Sequence, residues 1–227
     1  MNVNICASIN AKTYRELRLM VKKAEEAGAN LIEIRMDYLD KCLDLGEIRA
    51  ITTLPLIGTN RLAQEGGVFK GREEERINRL FDAVSKGFNL IDLELETKNI
   101  KKIIKRIRKE SDVKLIISHH NLRLTPSLLD INKIFHKEMH LDADICKIIT
   151  TAEKIEDNLT SLQFVSQASK IKETICFCMG KQGILSRLLA PFFGGFFTYA
   201  SIERGKEVAP GQMTVVETRR FYEMIKI

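Results

Sequence analysis

One lysine stands alone in an apolar stretch of this chain, in the segment Ala143-Asp144-Ile145-Cys146-Lys147-Ile148-Ile149-Thr150. On a strand, Lys147 shares a face with Ile145 and Ile149, because side chains alternate with a period of two. Burial among such residues disfavours a charged ammonium, so the expectation is an amine that is neutral part of the time. That is the nucleophile Schiff-base chemistry needs. The structural alternative is a lysine near a strand end that carries its charge out to solvent.

Other segments offer groups that could work beside such an amine. Ser118-His119-His120-Asn121 ends an apolar run, and adjacent strand residues face opposite ways. Only one of the two histidines can therefore face an interior, as a general acid/base or as a hydrogen-bonded structural residue. Glu33, Arg35 and Asp37 are spaced two apart and share one face. Three charges on one face of a buried strand are costly unless they pair or bind something. Arg61 and Glu65 precede Gly66-Gly67, where glycine permits tight turns. Taken alone, they read as an ordinary loop salt bridge. Cys178-Met179-Gly180-Lys181-Gln182-Gly183 lacks the spacing of a phosphate loop, and Arg187 follows it. The polar run Glu203 to Gln212, with Gly205, Pro210 and Gly211, suits a lid.

Strands and helices alternate around these groups. Short β-rich runs are expected at Val3 to Ile9, Leu31 to Met36, Pro55 to Thr59, Leu90 to Leu95, Val113 to Ser118, Ile145 to Thr150, Thr174 to Met179 and Phe196 to Ser201. Helical spacing fills the intervals. Tyr14, Leu17, Val21 and Ala24 mark one helix, which stops at Gly28; Ile77, Leu80, Phe81 and Val84 mark another, which stops at Gly87. Further helices are expected at Asp44 to Ile51, from Thr125-Pro126, near Glu153 to Lys170, near Gly183 to Leu189, and from about Met213 to Ile225. Eight βα units imply a parallel sheet covered by helices. The length favours a closed (β/α)8 TIM barrel, one catalytic domain over residues 1–227, above an open nucleotide-binding sheet. The open sheet would show a glycine-rich turn after strand one, where Ser8-Ile9-Asn10-Ala11 stands instead. Barrel chemistry sits at the C-terminal ends of strands, where the groups above fall.

Composition excludes several classes. The 227 residues are 44% hydrophobic and 29% charged, with 13 Gly and 4 Pro, values of a folded globular chain and not of a disordered or collagen-like one. The longest apolar run, Leu188 to Phe197, is short and broken by Pro191 and Gly194-Gly195, so no membrane span is expected. Met1 to Ile9 has neither the basic nor the long apolar segment of a secretory leader. Five scattered cysteines favour reduced thiols and a cytoplasmic setting over disulfides. The Cys176–Cys178 spacing is too short for a zinc knuckle, and no metal is expected. With 36 basic and 30 acidic residues the chain carries a net +6, densest in Lys101 to Lys109. There Ile100, Ile103, Ile104 and Ile107 form the apolar side of an amphipathic helix. No aromatic residues interleave with its basic face, so it reads as a solvated surface and not as a nucleic-acid site. The positive field still suits an acidic small molecule.

In combination, these segments resemble type I 3-dehydroquinate dehydratases along nearly the whole chain. Glu33-Ile34-Arg35-Met36-Asp37 resembles the family's E-x-R-x-D strand, and Arg61 with Glu65-Gly66-Gly67 its R-x-x-x-E-G-G loop. Ser118-His119-His120 resembles its S-x-H, and Asp144-Ile145-Cys146-Lys147 the segment bearing its Schiff-base lysine. Met179-Gly180-Lys181-Gln182-Gly183-Ile184-Leu185-Ser186-Arg187 and Ala209-Pro210-Gly211-Gln212 resemble its last two motifs.

The resemblance implies dehydration of 3-dehydroquinate to 3-dehydroshikimate in the shikimate route to aromatic compounds. Lys147 would form the iminium, His120 would act as base and then acid, and Glu65 would orient it. Arg187 and Gln212 would hold the substrate carboxylate. Glu33 and Arg61 would contact ring hydroxyls with Arg35 in support, while Met179 and Ala209 complete the substrate site. No cofactor is implied, and a homodimer is expected. Val208 departs from a small hydroxyl residue, and Phe177-Cys178-Met179 from an M-x-M pattern. The competing readings are a class I aldolase acting on a keto acid and a non-catalytic anion-binding barrel.

Overall fold

The computed structural model describes residues 3–225. Residues 1, 2, 226 and 227 of the expected 1–227 domain lie outside the described residues. The chain alternates β1 (Ile5–Ile9), α1 (Tyr14–Glu26), β2 (Leu31–Arg35), α2 (Leu45–Ala50), β3 (Leu56–Thr59), α3 (Glu73–Ser85), β4 (Leu90–Glu94) and α4 (Ile100–Glu110). It continues through β5 (Lys114–His120), α5 (Leu128–His140), β6 (Ile145–Thr151), α6 (Asp157–Ala168), β7 (Glu173–Met179), α7 (Ile184–Leu189), β8 (Thr198–Ala200) and α8 (Val215–Ile225).

The strands form one parallel sheet in the order β7-β6-β5-β4-β3-β2-β1-β8. Its two ends meet where the Phe196 N–H donates to the Thr174 carbonyl at 2.9 Å, which brings the sheet round into the expected (β/α)8 barrel. Strands covered on both sides become long apolar runs. In β2, Ile32 and Ile34 face the helices and are fully buried. The alternate residues Glu33 and Arg35 consequently point into the lumen. The same alternation sends Ser118 and His120 of β5 inward, and Lys147 and Ile149 of β6.

Two expected boundaries shift. The helix after β5 starts at Leu128, not at Thr125-Pro126. Ser127 is its cap and accepts from the Asp130 N–H, while the Thr125 hydroxyl donates to the Thr151 carbonyl at 2.9 Å. Both residues suit a cap, and β6 captures the first of them. Strand eight is shorter than expected, since only Thr198 to Ala200 pair with β1. Ser201 continues its line as a single parallel bridge to Thr214.

An arginine on α3 ties together the C-terminal ends of β3 and β4. Arg76 is wholly buried and donates to the Asn60 carbonyl at 2.8 Å, the Glu94 carboxylate at 2.6 Å and the Thr97 hydroxyl at 3.1 Å. Its Nε and Nη2 also reach Glu73 at 2.8 and 2.9 Å. Removing one partner of a buried pair leaves a desolvated charge behind. Arg76→Met is therefore expected to cost about 3 kcal/mol of unfolding free energy. Urea titration checks this, and a loss within experimental error would refute the anchoring role.

Candidate active site

A cavity opens at the C-terminal ends of the strands, where the barrel architecture places chemistry. It contains every site residue expected from the sequence: Glu33, Arg35, Arg61, Glu65, His120, Lys147, Met179, Arg187, Ala209 and Gln212 all line it.

Behind its lining lies Asp92, on β4 and fully buried. One carboxylate oxygen meets both Lys147 Nζ at 2.8 Å and Arg61 Nη2 at 2.7 Å. The other accepts from the Ser118 hydroxyl at 2.6 Å. Burial alone would raise the carboxyl's pKa. The adjacent Arg61 and Lys147 outweigh it and hold Asp92 well below the usual range, hence ionised.

Lys147 is 4% exposed, so it does not snorkel. The expectation of apolar surroundings is corrected. Its amine donates to Asp92 and, at 3.1 Å, to the Tyr199 hydroxyl, with Glu33 Oε1 at 3.9 Å. The aromatic ring of Tyr199 lies 4.3 Å from Nζ. Local sequence could not reveal this, since Asp92 is 55 residues away.

Arg61 is also more than half of a loop salt bridge. Its guanidinium reaches Asp92, Glu94 at 3.2 Å, Glu65 at 3.8 Å and the Ser118 hydroxyl at 2.8 Å. Burial works against its charge, but Asp92 and Glu94 outweigh it and hold the guanidinium firmly protonated. The loop folds back on itself through the Gly67 N–H, which donates to the Leu62 carbonyl at 2.9 Å. A Cβ at Gly67 would lie 2.0 Å from the Arg61 carbonyl oxygen, so glycine is required there.

The three charges Glu33, Arg35 and Asp37 divide their duties, and Asp37 falls in the turn just after β2, off the cavity lining, and not on the strand with the other two. Arg35 and Asp37 form a buried two-pronged pair at 2.9 and 2.7 Å. Glu33 accepts from the Ser8 hydroxyl at 2.7 Å and the Thr59 hydroxyl at 2.9 Å. Pairing and pocket lining, weighed as alternatives in the sequence, thus occur on one strand.

His120 Nδ1 lies 2.7 Å from Glu65 Oε2. His119 falls on the other face of β5, away from the cavity lining. At Arg187 the environment is reversed from Arg61. It is 2% exposed and stacks 4.3 Å over Phe177, and among the described residues its one side-chain hydrogen bond is a long one, 3.4 Å, to the Pro210 carbonyl. Among the described residues it has no acidic partner, and Nε has none of any kind. Burial pushes its pKa down to about 10. A buried cation with unspent donors calls for an anion. Beside it, the Gln212 side chain accepts from the Val208 N–H at 2.9 Å, which leaves its amide hydrogens for a ligand. The Pro210 carbonyl accepts from the Gly180 N–H at 3.0 Å and ties the lid to the end of β7. Val208 and Phe177, the two departures, both line the cavity with apolar surface.

Sequence reasoning missed Asp92, Glu94 and Tyr199. The signal for the carboxylates was present: Leu90-Ile91-Asp92-Leu93-Glu94 has two charges two apart in an apolar strand, as β2 does with Glu33 and Arg35. Tyr199 gave no signal, because an aromatic residue in a strand reads as core.

The Glu65–His120 pair has a defined proton inventory. Burial raises the Glu65 pKa to about 8, against Arg61, with Glu94 and Asp92 adding to the rise. Burial lowers that of His120 well below its usual value, helped by Arg61 and Lys147. The two titrate as a unit. While the pair keeps its extra proton, Nε2 carries a hydrogen and cannot act as a base. Losing it leaves Nδ1–H donating to the Glu65 carboxylate and Nε2 bare. Activity gated by this step should climb about tenfold per pH unit from pH 6 and level off above about 8. A pH profile of kcat/KM checks this, and a flat profile from pH 6 to 9 would exclude the gating.

A profile of type I 3-dehydroquinase matches residues 5–227. A 3-dehydroquinate dehydratase of Dehalococcoides mccartyi is 38% identical over 205 residues, 90% of this chain and 89% of its own. Among solved structures, the 3-dehydroquinate dehydratase of Geobacillus kaustophilus shares the fold with a TM-score of 0.89 at 24% identity, covering 100% of this chain and 92% of that one. The 3-dehydroquinate dehydratase of Aquifex aeolicus gives a TM-score of 0.80 at 28% identity, covering 97% and 98%. By sequence match, barrel and site together, the chain belongs to the type I 3-dehydroquinase family.

Proposed function

We propose that this chain dehydrates 3-dehydroquinate to 3-dehydroshikimate through an imine on Lys147, as a step of the shikimate route. The observation that carries the reading is a buried lysine amine sharing one cavity with an imidazole held by a carboxylate. In this reading, Nζ attacks the ring ketone in its neutral form to give a carbinolamine, and a proton taken from solvent by the carbinolamine hydroxyl lets it leave as water, so that an iminium remains. The cation draws electrons from the adjacent carbon and makes its C–H acidic. His120 Nε2 removes that proton, with Nδ1–H donating to Glu65. The electron pair then expels the ring hydroxyl, which takes the proton from His120. Hydrolysis of the conjugated imine frees the product and the lysine.

Substrate placement follows from charge. The unpartnered Arg187 and the free amide hydrogens of Gln212 take the carboxylate. Glu33 and Arg61 meet ring hydroxyls, Arg35 stiffens that wall through Asp37, and Met179 and Ala209 close the cavity under the lid. A class I aldolase acting on a keto acid would use the lysine but would not need the Arg187 and Gln212 clamp together with the lid, and an anion-binding barrel has no need of the His120–Glu65 pair. The reading also carries a single catalytic domain and a cytoplasmic homodimer. Among the described residues no helix is long and apolar enough to cross a membrane.

Borohydride added with 3-dehydroquinate should fix a reduced adduct on the Lys147 peptide, found by mass spectrometry. Lys147→Ala should give none, and His120→Ala should accumulate adduct while turning over very slowly. Substrate-dependent labelling of a different peptide would sink the lysine assignment. Arg187→Leu removes charged hydrogen bonds worth about 2 kcal/mol, so kcat/KM should fall roughly 30-fold. An unchanged value would mean that the carboxylate binds elsewhere.

A further inference from the structure

We infer that Tyr199 is a catalytic residue of imine formation, its hydroxyl passing a proton from the Lys147 nitrogen to the former ketone oxygen. The inference rests on the Schiff-base reading above and adds a residue to it.

Forming the first adduct poses a proton problem. When the neutral amine attacks, its lone pair becomes the new N–C bond and the C=O π pair moves onto oxygen. Nitrogen is then positive with one proton too many, and the oxygen beside it is an alkoxide with one too few. A group touching both atoms can hand its own proton to the oxygen and take one from nitrogen. It finishes unchanged, and the product is a neutral carbinolamine.

Few groups around Nζ can do this. Asp92 lies at 2.8 Å but is an ionised carboxylate, which accepts and has no proton to give. Glu33, at 3.9 Å, accepts from two hydroxyls. The nearby serine hydroxyls are committed, Ser8 to Glu33 at 2.7 Å and Ser118 to Asp92 at 2.6 Å. His120 is bound to Glu65 and serves the later C–H step.

Tyr199 remains. Its oxygen already accepts from Nζ at 3.1 Å, and among the described residues its own O–H donates to no other group. The ring is fixed edge-on by Phe197 and Phe177, with centroids 5.2 and 6.4 Å away, and it lines the cavity. A hydroxyl that accepts from the nucleophile and keeps its proton free for the atom bonded to the same carbon has the connectivity of a relay. Burial keeps the phenol from ionising, which suits a group that must hold a proton to lend.

The test is Tyr199→Phe, which keeps the ring, its packing and its contact with the ammonium while deleting the oxygen. Thermal melting checks that the fold is intact. Quenched borohydride trapping on 3-dehydroquinate should show adduct appearing roughly 10- to 100-fold more slowly than in the native protein. Once formed, the adduct should convert to the enone within about twofold of the native rate in single-turnover mixing. Native-rate trapping overturns the inference. So does equal slowing of both phases, the mark of a lysine merely displaced. Absence of any adduct in the native protein would instead remove the Schiff-base reading, so the two failures are distinguishable.

Discussion

A single carboxylate shared by two cations organises the mouth of this barrel. Asp92 holds the Lys147 amine and the Arg61 guanidinium on the same oxygen. Without it, two positive charges would face each other in a desolvated lumen. With it, Arg61 can also reach toward Glu94 and Glu65, and Glu65 can bind His120. The Lys147 amine and the His120 imidazole are thus linked through one chain of charges. Buried ion pairs gain little stability once desolvation is counted. What this one supplies is position, and the wholly buried Arg76 supports it through Glu94, which also pairs with Arg61.

The cavity is divided electrostatically. Around Lys147 and Arg61 the cations are neutralised by Asp92, Glu94, Glu65 and Glu33. Across the cavity, Arg187 has only a phenyl face and a distant carbonyl. Uncompensated positive charge is therefore concentrated at one side. An anionic group is drawn there and keeps clear of the acidic side where the amine sits. A substrate carrying a carboxylate on one end of its ring and a ketone on the other is oriented by that asymmetry alone. The lid completes it: Gly211, at φ +79°, packs so closely on Gly180 that a Cβ would meet its carbonyl oxygen at 2.4 Å. Close approach brings Pro210 and Gln212 over the guanidinium.

Much of this was legible in the residues. The period of two placed Glu33 and Arg35, and Ser118, His120 and Lys147, on faces that the barrel turns inward. Helix stops at Gly28 and Gly87 fell where glycine takes positive φ. Which of two adjacent histidines faces the cavity could be argued from motif spacing but is fixed by the register of β5 against β6, where Ser118 stands opposite Lys147. The start of α5 was misjudged because Thr125 and Ser127 are equally good caps in isolation, and only β6 chooses between them.

The linear chain by itself determined the alternation of strands and helices, hence the barrel, and the chemical identity of the groups at its mouth. That information is local, carried by periodicity and by polar residues set in apolar runs. Tertiary structure decided how those groups are paired. The Lys147 amine reads as an amine in a greasy strand until Asp92 and Tyr199, 55 and 52 residues distant, are brought to it. Arg187 reads as a residue of an ordinary helix until folding buries it with no counter-charge. Electrostatic environment is a sum over neighbours in space, and closing the barrel is what makes neighbours of residues on different strands.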